Sequence, residues 1–414
     1  MAKFYINLLK KYNIQATFPI TADLLIKNDH MINYLLDDHV EFAVHGYNHI
    51  DYTRLSHNEQ KAHFDMAVRV FKRNFIKFAG FRCPYLRYNE DTLGALSKLQ
   101  FSWDSSQAIY WDVLGPYNFN KRAHHHFDKV LTQYDVKMAE KFVSIPKIEQ
   151  NLVEIPVSLP DDDLLISRLK IRDPQLLDMI LQDMLSLTYM RGELFTVLLH
   201  PERIMYYKNS IDHLFEMALD LKPKVWVTSM QKIAEWWQEK RRSTIDIRAI
   251  DVHKYQVKVR CLDRSTLLCK NPKHKNGSFY SGYEIIKERF FNLESPKIPL
   301  VGIPANSSPQ LQDLLVNEGI PFERSFERDK YSVFISEDDY CCDEDERKIL
   351  RKIEQSPTPL LRFWRWPDDY RSALALTGDI DAFTIFDFLP RLFHRQPNSL
   401  MNRDERKVQK DFFN

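Results

Sequence analysis

The sequence is poor in cysteine and glycine and lacks any long uninterrupted apolar run. Its 5 cysteines form no C-x-x-C pair, which argues against a structural zinc ribbon and against a disulfide framework. No apolar stretch approaches the ~18 residues of a membrane helix. Lys3, Lys10 and Lys11 interrupt the amino-terminal stretch, where a secretory signal needs an apolar core. We therefore expect a soluble cytoplasmic protein without a membrane span.

The sequence also has almost no net charge. At +1 over 414 residues, with 28% charged and 44% hydrophobic residues, it gives no indication of a nucleic-acid partner or an anionic membrane surface. The length exceeds that of a typical single domain and predicts about two.

The first 241 residues alternate between helix-like and strand-like patterns. Short apolar runs between amphipathic stretches favour an α/β fold with a parallel sheet or barrel, in which chemistry is located at the carboxyl ends of the strands. The predicted strands are 14–22, 40–44, 77–81, 101–104, 194–199 and 225–228, and the predicted helices are 3–12, 23–37, 57–75, 90–98, 173–191 and 210–221.

The pattern changes after the basic residues 240–242. Residues 245–340 alternate with period two and then show strand–helix–strand texture, which predicts a separate small α/β domain. The sequence then predicts a connecting helix within 343–360, a returning strand and helix within 361–393, and a polar tail at 394–414. We assign residues 1–242 to the main part of the barrel.

Two histidines follow the predicted strand at 40–44. His45 and His49 are four residues apart, so both rings would share one face if the segment were helical, close enough to bind one metal ion. A pair of surface histidines on a loop is the alternative. The other histidine cluster, at 124–126, consists of adjacent residues on a polar loop, which do not converge on one ion.

Two further strand ends carry polar side chains. Arg82 precedes an X-Pro turn that contains Tyr85, and a buried arginine there could orient a carboxylate through a bidentate contact. His200 follows an apolar strand that Pro201 ends, and could act as a general acid. An ordinary surface turn and a structural histidine are the respective alternatives.

The strand at the carboxyl-terminal side of the chain ends in two acids. Asp379 and Asp381 are two residues apart, so in an extended strand both point the same way. One could bind a metal while the other takes a proton from water. A solvated Asx turn is the alternative.

Together these motifs resemble the polysaccharide deacetylases, the NodB-homology group of carbohydrate esterases. The resemblance implies a distorted (β/α)7-type barrel and covers roughly residues 1–240 and 360–393. The segments that carry it are H-G-Y-N-H at 45–49, R-C-P-Y at 82–85, L-L-H-P at 198–201 and T-G-D-I-D at 377–381.

The order of these motifs departs from the family, in which the acidic strand comes first. The simplest interpretation is a circular permutation, in which residues 372–379 supply the first strand of the barrel from the C-terminus. Chain termini often lie close together, and a missing first strand would leave an apolar edge. The alternative is a truncated product whose C-terminal motif serves another chain or none.

The resemblance also implies roles for individual residues. His45, His49 and Asp381 would bind a divalent metal, with Zn²⁺ the first choice, and Asp379 would be the general base. His200 would protonate the leaving amine, and Arg82 would hold Asp379. The backbone N–H of Tyr85 would hold the oxyanion, and Asp104 is a candidate partner for the late histidine. Trp103 and Trp111 could line a sugar site, although core packing is the common use of tryptophan.

The implied activity is a metal-dependent N-deacetylase that hydrolyses an acetamide on an amino sugar or glycan. An amidase acting on a small non-sugar amide and a non-catalytic scaffold remain open as alternatives. A cytoplasmic location would favour a nucleotide- or lipid-linked amino sugar as the substrate. The sequence leaves the oligomeric state open, and the predicted domain at 245–340 has no assigned role.

Overall fold

The structure is a computed structural model, and it describes residues 2–28, 32–33, 35–99, 101–115, 127, 131–132, 134–149, 151–270, 278–336, 339 and 345–381. The helices are α1 (Ala2–Tyr12), α2 (Ala22–Lys27), α3 (His57–Arg73), α4 (Glu90–Leu96), α5 (Pro174–Arg191), α6 (Ile204–Asp220), α7 (Met230–Lys240), α8 (Pro309–Asn317) and α9 (Glu346–Glu354). Among the described residues, none of the helices has the length and apolar character needed to cross a bilayer.

Short strands alternate with these helices in the first half and dominate the second half. They are β1 (Ala16–Ile20), β2 (Val40–Val44), β3 (Phe78–Phe81), β4 (Trp103–Asp104), β5 (Ala108–Tyr110), β6 (Lys137–Met138), β7 (Lys147–Glu149), β8 (Leu152–Glu154), β9 (Val157–Leu159), β10 (Leu194–Leu199), β11 (Val225–Val227), β12 (Thr244–Asp251), β13 (Lys254–Arg260), β14 (Ser265–Lys270), β15 (Tyr283–Ile286), β16 (Phe290–Glu294), β17 (Ile298–Ile303), β18 (Phe322–Arg324), β19 (Tyr331–Phe334), β20 (Leu361–Pro367) and β21 (Ser372–Gly378).

The main sheet is a curled, mostly parallel half-barrel. Its path is β10-β21-β1-β2-β3-β4-β8-β7, and β11 pairs with β21 off this path. The strands from β21 to β4 run parallel and are joined to helices, which is the arrangement of an α/β barrel. The predicted fold class, a distorted α/β barrel, is confirmed.

The C-terminal strand β21 lies inside this sheet. It pairs in parallel with β10, where Leu199 is opposite Gly378, and with β1, where Thr17 is opposite Thr377. All seven of its residues are buried, and an isolated bridge between Ile20 and Ile380 continues the pairing beyond the strand. Strand β21 therefore occupies the position between β10 and β1 that would otherwise be an exposed apolar edge.

The second half of the chain forms smaller sheets. Their orders are β12-β13-β16, β15-β14-β20 and β18-β17-β19, the last with parallel pairs. Because β20 pairs with β14, residues 361–367 join a sheet of the predicted accessory domain before the chain enters β21. Helix α9 lies within the predicted connecting stretch. The division of the chain into domains stays a prediction.

The sequence patterns located the long elements better than the short ones. Strands β2 and β10 match the predictions at 40–44 and 194–199, and α5 begins one residue after the predicted 173. Strands β5 to β9 were not predicted, because runs of two or three residues are too short to show a period. The residues after 381, with the predicted final helix and tail, lie outside the described part of the chain.

Candidate active site

The carboxyl ends of neighbouring strands bring the predicted metal ligands together. His45 follows β2, and His49 lies five residues beyond that strand. Asp381 lies beyond β21, where the backbone N–H of Ile380 donates to the carbonyl of Pro19 at 2.8 Å. One ligand atom from each of the three side chains lies within 4.8 Å of the others.

The segment 45–49 is not a helix. It forms a bend in which Gly46 has φ +84°, a left-handed conformation that glycine adopts without strain. The two imidazole centroids are 5.2 Å apart. The two rings therefore converge because the chain turns at Gly46, and not through the helical spacing considered for the sequence.

Both C-terminal acids face His45. Its Nε2 atom is 3.5 Å from Oδ1 of Asp381 and 3.9 Å from Oδ2 of Asp379, while Nε2 of His49 is 3.2 Å from Oδ2 of Asp381. The period-two argument for the two acids therefore agrees with the structure.

The residues present fit a divalent cation. Nδ1 of His45 lies 2.8 Å from the carbonyl oxygen of Arg82, and because a carbonyl only accepts, Nδ1 carries the proton. Nε2 then faces the Asp381 carboxylate, and a cation between the two atoms would be bound by the Nε2 lone pair and the carboxylate. Two tetrahedral ligands at the usual zinc distances lie about 3.4 Å apart, close to the measured 3.2 and 3.5 Å.

Arg82 binds the Asp379 carboxylate through its guanidinium group. Its Nη1 donates to Oδ1 of Asp379 and to Oγ1 of Thr377, both at 2.8 Å. Nε and Nη2 donate to the carbonyl and the hydroxyl of Ser105 at 3.0 and 2.9 Å. The guanidinium is fully buried, and these hydrogen bonds satisfy its donors in place of water.

Tyr85 stands beside the metal ligands. Its ring meets that of His49 edge-on, with centroids 4.3 Å apart, and it is 40% exposed. Its backbone has φ 60° and ψ 10°, a left-handed conformation that is uncommon for an aromatic residue. The turn that begins at Pro84 thus forms one wall of the site.

His200 lies at the neighbouring strand end and pairs with Asp162. Nδ1 of His200 donates to Oδ1 of Asp162 at 2.6 Å, and the backbone N–H of His200 donates to Oδ2 at 2.7 Å. Burial alone would lower the pKa of His200, but the carboxylate of Asp162 outweighs it and holds that pKa well above the ordinary value. The imidazole is therefore kept protonated.

The expectation that Asp104 is the partner of His200 is wrong. Asp104 ends β4, where it accepts from the hydroxyl of Ser106 at 2.8 Å and lies opposite Glu154 of β8. Burial raises the pKa of Asp104 to about 6 and that of Glu154 well above its usual range. These two acids form a buried pair beside Arg82, and His200 is paired with Asp162 instead.

Sequence reasoning missed Asp162 and Tyr207, which contacts it. The available signal was the run of three acids at 161–163 directly after a short apolar strand. Trp103 and Trp111 are 0% and 1% exposed, so both belong to the core. The cluster at 124–126 lies outside the described residues.

Comparison with known proteins finds one matching family model. Residues 2–103 match the family model for polysaccharide deacetylase. This segment is therefore similar to the polysaccharide deacetylase family. It contains the H-G-Y-N-H and R-C-P-Y motifs, and the family consists of hydrolases that act on carbon–nitrogen bonds other than peptide bonds.

Several solved structures resemble the chain at low sequence identity. A probable polysaccharide deacetylase from Pseudomonas aeruginosa is 17% identical, with a TM-score of 0.45 over 57% of this chain and 72% of the other. A putative polysaccharide deacetylase from Mycobacterium smegmatis is 17% identical, with a TM-score of 0.44 over 57% and 76%. Puue allantoinase is 18% identical, with a TM-score of 0.44 over 57% and 71%. No curated protein matches this chain.

Proposed function

We propose that this chain is a zinc-dependent N-deacetylase that hydrolyses the acetamide of an amino sugar or glycan. The observation that carries the proposal is the convergence of His45, His49 and Asp381 beside Asp379 and His200. Two imidazoles and one carboxylate are a common ligand set for hydrolytic zinc, with positions left for water and substrate.

The metal, once bound, would act as a Lewis acid on the acetamide carbonyl and lower the pKa of water. His45 and His49 would hold it through Nε2, with the His45 tautomer set by the carbonyl of Arg82. Asp381 would supply the carboxylate ligand.

Asp379 would accept the proton of the attacking water. Its Oδ1 atom is occupied by Arg82, while Oδ2 lies 3.9 Å from Nε2 of His45 and so faces the ligands. The guanidinium keeps the carboxylate oriented in its buried position. The backbone N–H of Tyr85 is the proposed donor to the oxyanion.

His200 would deliver a proton to the leaving amine. The Asp162 carboxylate keeps the imidazole protonated and fixes its orientation, which is the requirement for a general acid near neutral pH. Asp379 and His200 thus divide the acid–base work between two adjacent strand ends.

The order of the motifs is best accounted for by a circular permutation. The pairing of β21 with both β10 and β1 supports it, because that position completes the row of site-bearing strand ends. The cytoplasmic location and a nucleotide- or lipid-linked amino sugar as substrate are parts of the same proposal.

Acetate release tests the reaction. The purified chain, loaded with Zn²⁺, is incubated with N-acetylglucosamine oligomers, with UDP-N-acetylglucosamine and with a small cyclic amide. Acetate from an acetylated sugar that disappears in Asp379→Asn is the expected result. Hydrolysis of the cyclic amide alone would replace the proposal with an amidase. If the zinc-loaded chain hydrolysed none of the three substrates, both the deacetylase and the amidase functions would be contradicted.

A further inference from the structure

The Asp162 carboxylate accepts more than the two hydrogen bonds from His200. Its Oδ2 atom, which accepts the backbone N–H of His200, also lies 2.5 Å from the hydroxyl of Tyr207. The Asp162 side chain is 2% exposed. At such burial, the orientation of the carboxylate depends on its protein donors.

Tyr207 reaches Asp162 from helix α6 because the helix is distorted at this residue. Its φ and ψ of −129° and 21° are not helical, and its ring is 2% exposed. The hydroxyl also lies 2.8 Å from the carbonyl oxygen of His200. It has one proton to donate, and the charged oxygen of Asp162 is both closer and the stronger acceptor.

The guanidinium of Arg203 does not replace the hydrogen bond from Tyr207 to Asp162. Nη1 of Arg203 is 3.7 Å from Oδ1 of Asp162, whereas Nη2 of Arg203 donates to Oδ1 of Asp163 at 2.9 Å. The phenol therefore supplies the side-chain hydrogen bond to Oδ2. The ionisable groups around His200 and Asp162 that bear on their charges are Tyr5, Asp161, Asp163, Glu202, Arg203 and Asp381.

We propose that Tyr207 is a positioning residue for the deacetylation: its hydroxyl holds the Asp162 carboxylate against the His200 ring. With Oδ2 fixed by the phenol and the backbone, Oδ1 stays directed at Nδ1 of His200. The imidazole is thereby oriented and retains its proton for the leaving amine. This inference rests on the proposed function, because it assigns Tyr207 a role through His200.

The test compares Tyr207→Phe with Tyr12→Phe. Tyr12 is a matched control, since its hydroxyl also donates to an aspartate, Asp212, at 2.7 Å, but this aspartate pairs with Lys11 and not with a histidine. For Tyr207→Phe we expect kcat to fall about tenfold or more with little change in KM, as for weakened general acid catalysis. In the pH profile of kcat for Tyr207→Phe, the alkaline limb moves to lower pH. Tyr12→Phe leaves both unchanged.

A second readout does not depend on activity. In ¹⁵N-histidine-labelled protein, the Nδ1 proton of His200 should give a downfield resonance that moves upfield in Tyr207→Phe and persists in Tyr12→Phe. An unaltered resonance together with an unaltered pH profile in a folded Tyr207→Phe protein overturns the proposal. Inactivity of the wild-type chain on every acetylated sugar would instead contradict the proposed function, while the resonance still decides the contact.

A fluorinated tyrosine covers the case in which Tyr207→Phe does not fold. Replacement of Tyr207 by 3,5-difluorotyrosine keeps the ring and makes the hydroxyl a stronger donor. The His200 resonance and the alkaline limb should both shift relative to wild type. The same substitution at Tyr12 should shift neither, and no shift at position 207 would refute the positioning role.

Discussion

Arg82 donates to Asp379 over 2.8 Å, although 297 positions separate them in the chain. Both side chains are buried, at 0% and 5% exposure. The contact ties the turn after β3 to the end of β21. It therefore connects two segments that are far apart in the sequence.

Removal of the guanidinium should destabilise the fold. Arg82→Ala leaves the Asp379 carboxylate buried without its cation, and we expect the free energy of unfolding to fall by about 3–5 kcal/mol. Urea unfolding of Arg82→Ala, Asp379→Ala and the double variant measures the coupling between them. The exposed pair Lys11–Asp212, also at 2.8 Å, is the control and should couple by less than about 1 kcal/mol. If the losses in free energy of unfolding at Arg82 and Asp379 were additive, the two residues would not stabilise the fold through their contact.

Metal binding should need both ends of the chain. Asp381→Ala and His45→Ala should each reduce bound zinc from about one equivalent to a small fraction, because two remaining ligands do not retain the ion. Metal analysis after dialysis measures this directly. His213→Ala is the control, since that histidine forms a similar pair with Asp178 on the surface. Full zinc retention by Asp381→Ala would rule out the two-ended site.

The Asp104–Glu154 pair should make stability depend on pH. An acid whose pKa is higher in the folded chain than in the unfolded chain loses stability as the pH rises through the folded value. Burial raises the pKa of Glu154 well above 4.5, and each unit corresponds to about 1.4 kcal/mol. Glu154→Gln mimics the protonated acid and should therefore match wild type at pH 5 and exceed its stability at pH 9.

Urea unfolding at pH 5, 7 and 9 measures this difference. Gln at position 154 can still accept the backbone N–H groups of Ser106 and Gln107, which Oε1 of Glu154 accepts at 3.2 and 2.8 Å. Glu239→Gln, at an exposed position, should behave as wild type throughout. If the free energy of unfolding changed with pH in the same way for wild type and Glu154→Gln, the argument about the raised pKa of Glu154 would be contradicted.

Glu318 should be essential to the packing of the second half of the chain. It follows α8 and accepts from Arg362 at 2.8 Å and from Arg365 at 2.9 and 2.8 Å. Because all three are buried, Glu318→Gln leaves two guanidinium charges without their anion. We expect a loss of about 3–5 kcal/mol.

Thermal and urea unfolding of Glu318→Gln test this expectation. Glu327→Gln removes an exposed partner of Lys330 and should cost less than about 1 kcal/mol. Equal stabilities for the two variants would mean that the buried network contributes nothing to the fold.

Much of the candidate site was predictable from local pattern. His45, Arg82 and His200 each follow a short apolar run, and such runs predict strands whose carboxyl ends carry the chemistry. Asp379 and Asp381 share a side because the strand period is two. Each of these predictions depended only on the residues that are adjacent in the sequence.

The partner of His200 could not be predicted in the same way. Asp104 ends one short strand and Asp162 follows another, and the acidic run at 161–163 does not by itself show which of these acids reaches His200. The choice depends on where β9 and the π-helical turn Asp163–Arg168 direct the chain. Likewise, the convergence of His45 and His49 depends on the positive φ of Gly46 and not on a helical period.

The sequence by itself determined which residue types stand at the ends of the strands, and therefore the class of chemistry. Only the tertiary structure decided that β21 lies between β10 and β1, so that Asp381 meets His45 and His49. The physical reason is that apolar periodicity is a local property of the chain. The neighbours of a strand, by contrast, are selected by the burial and hydrogen bonding of the whole sheet, across hundreds of residues.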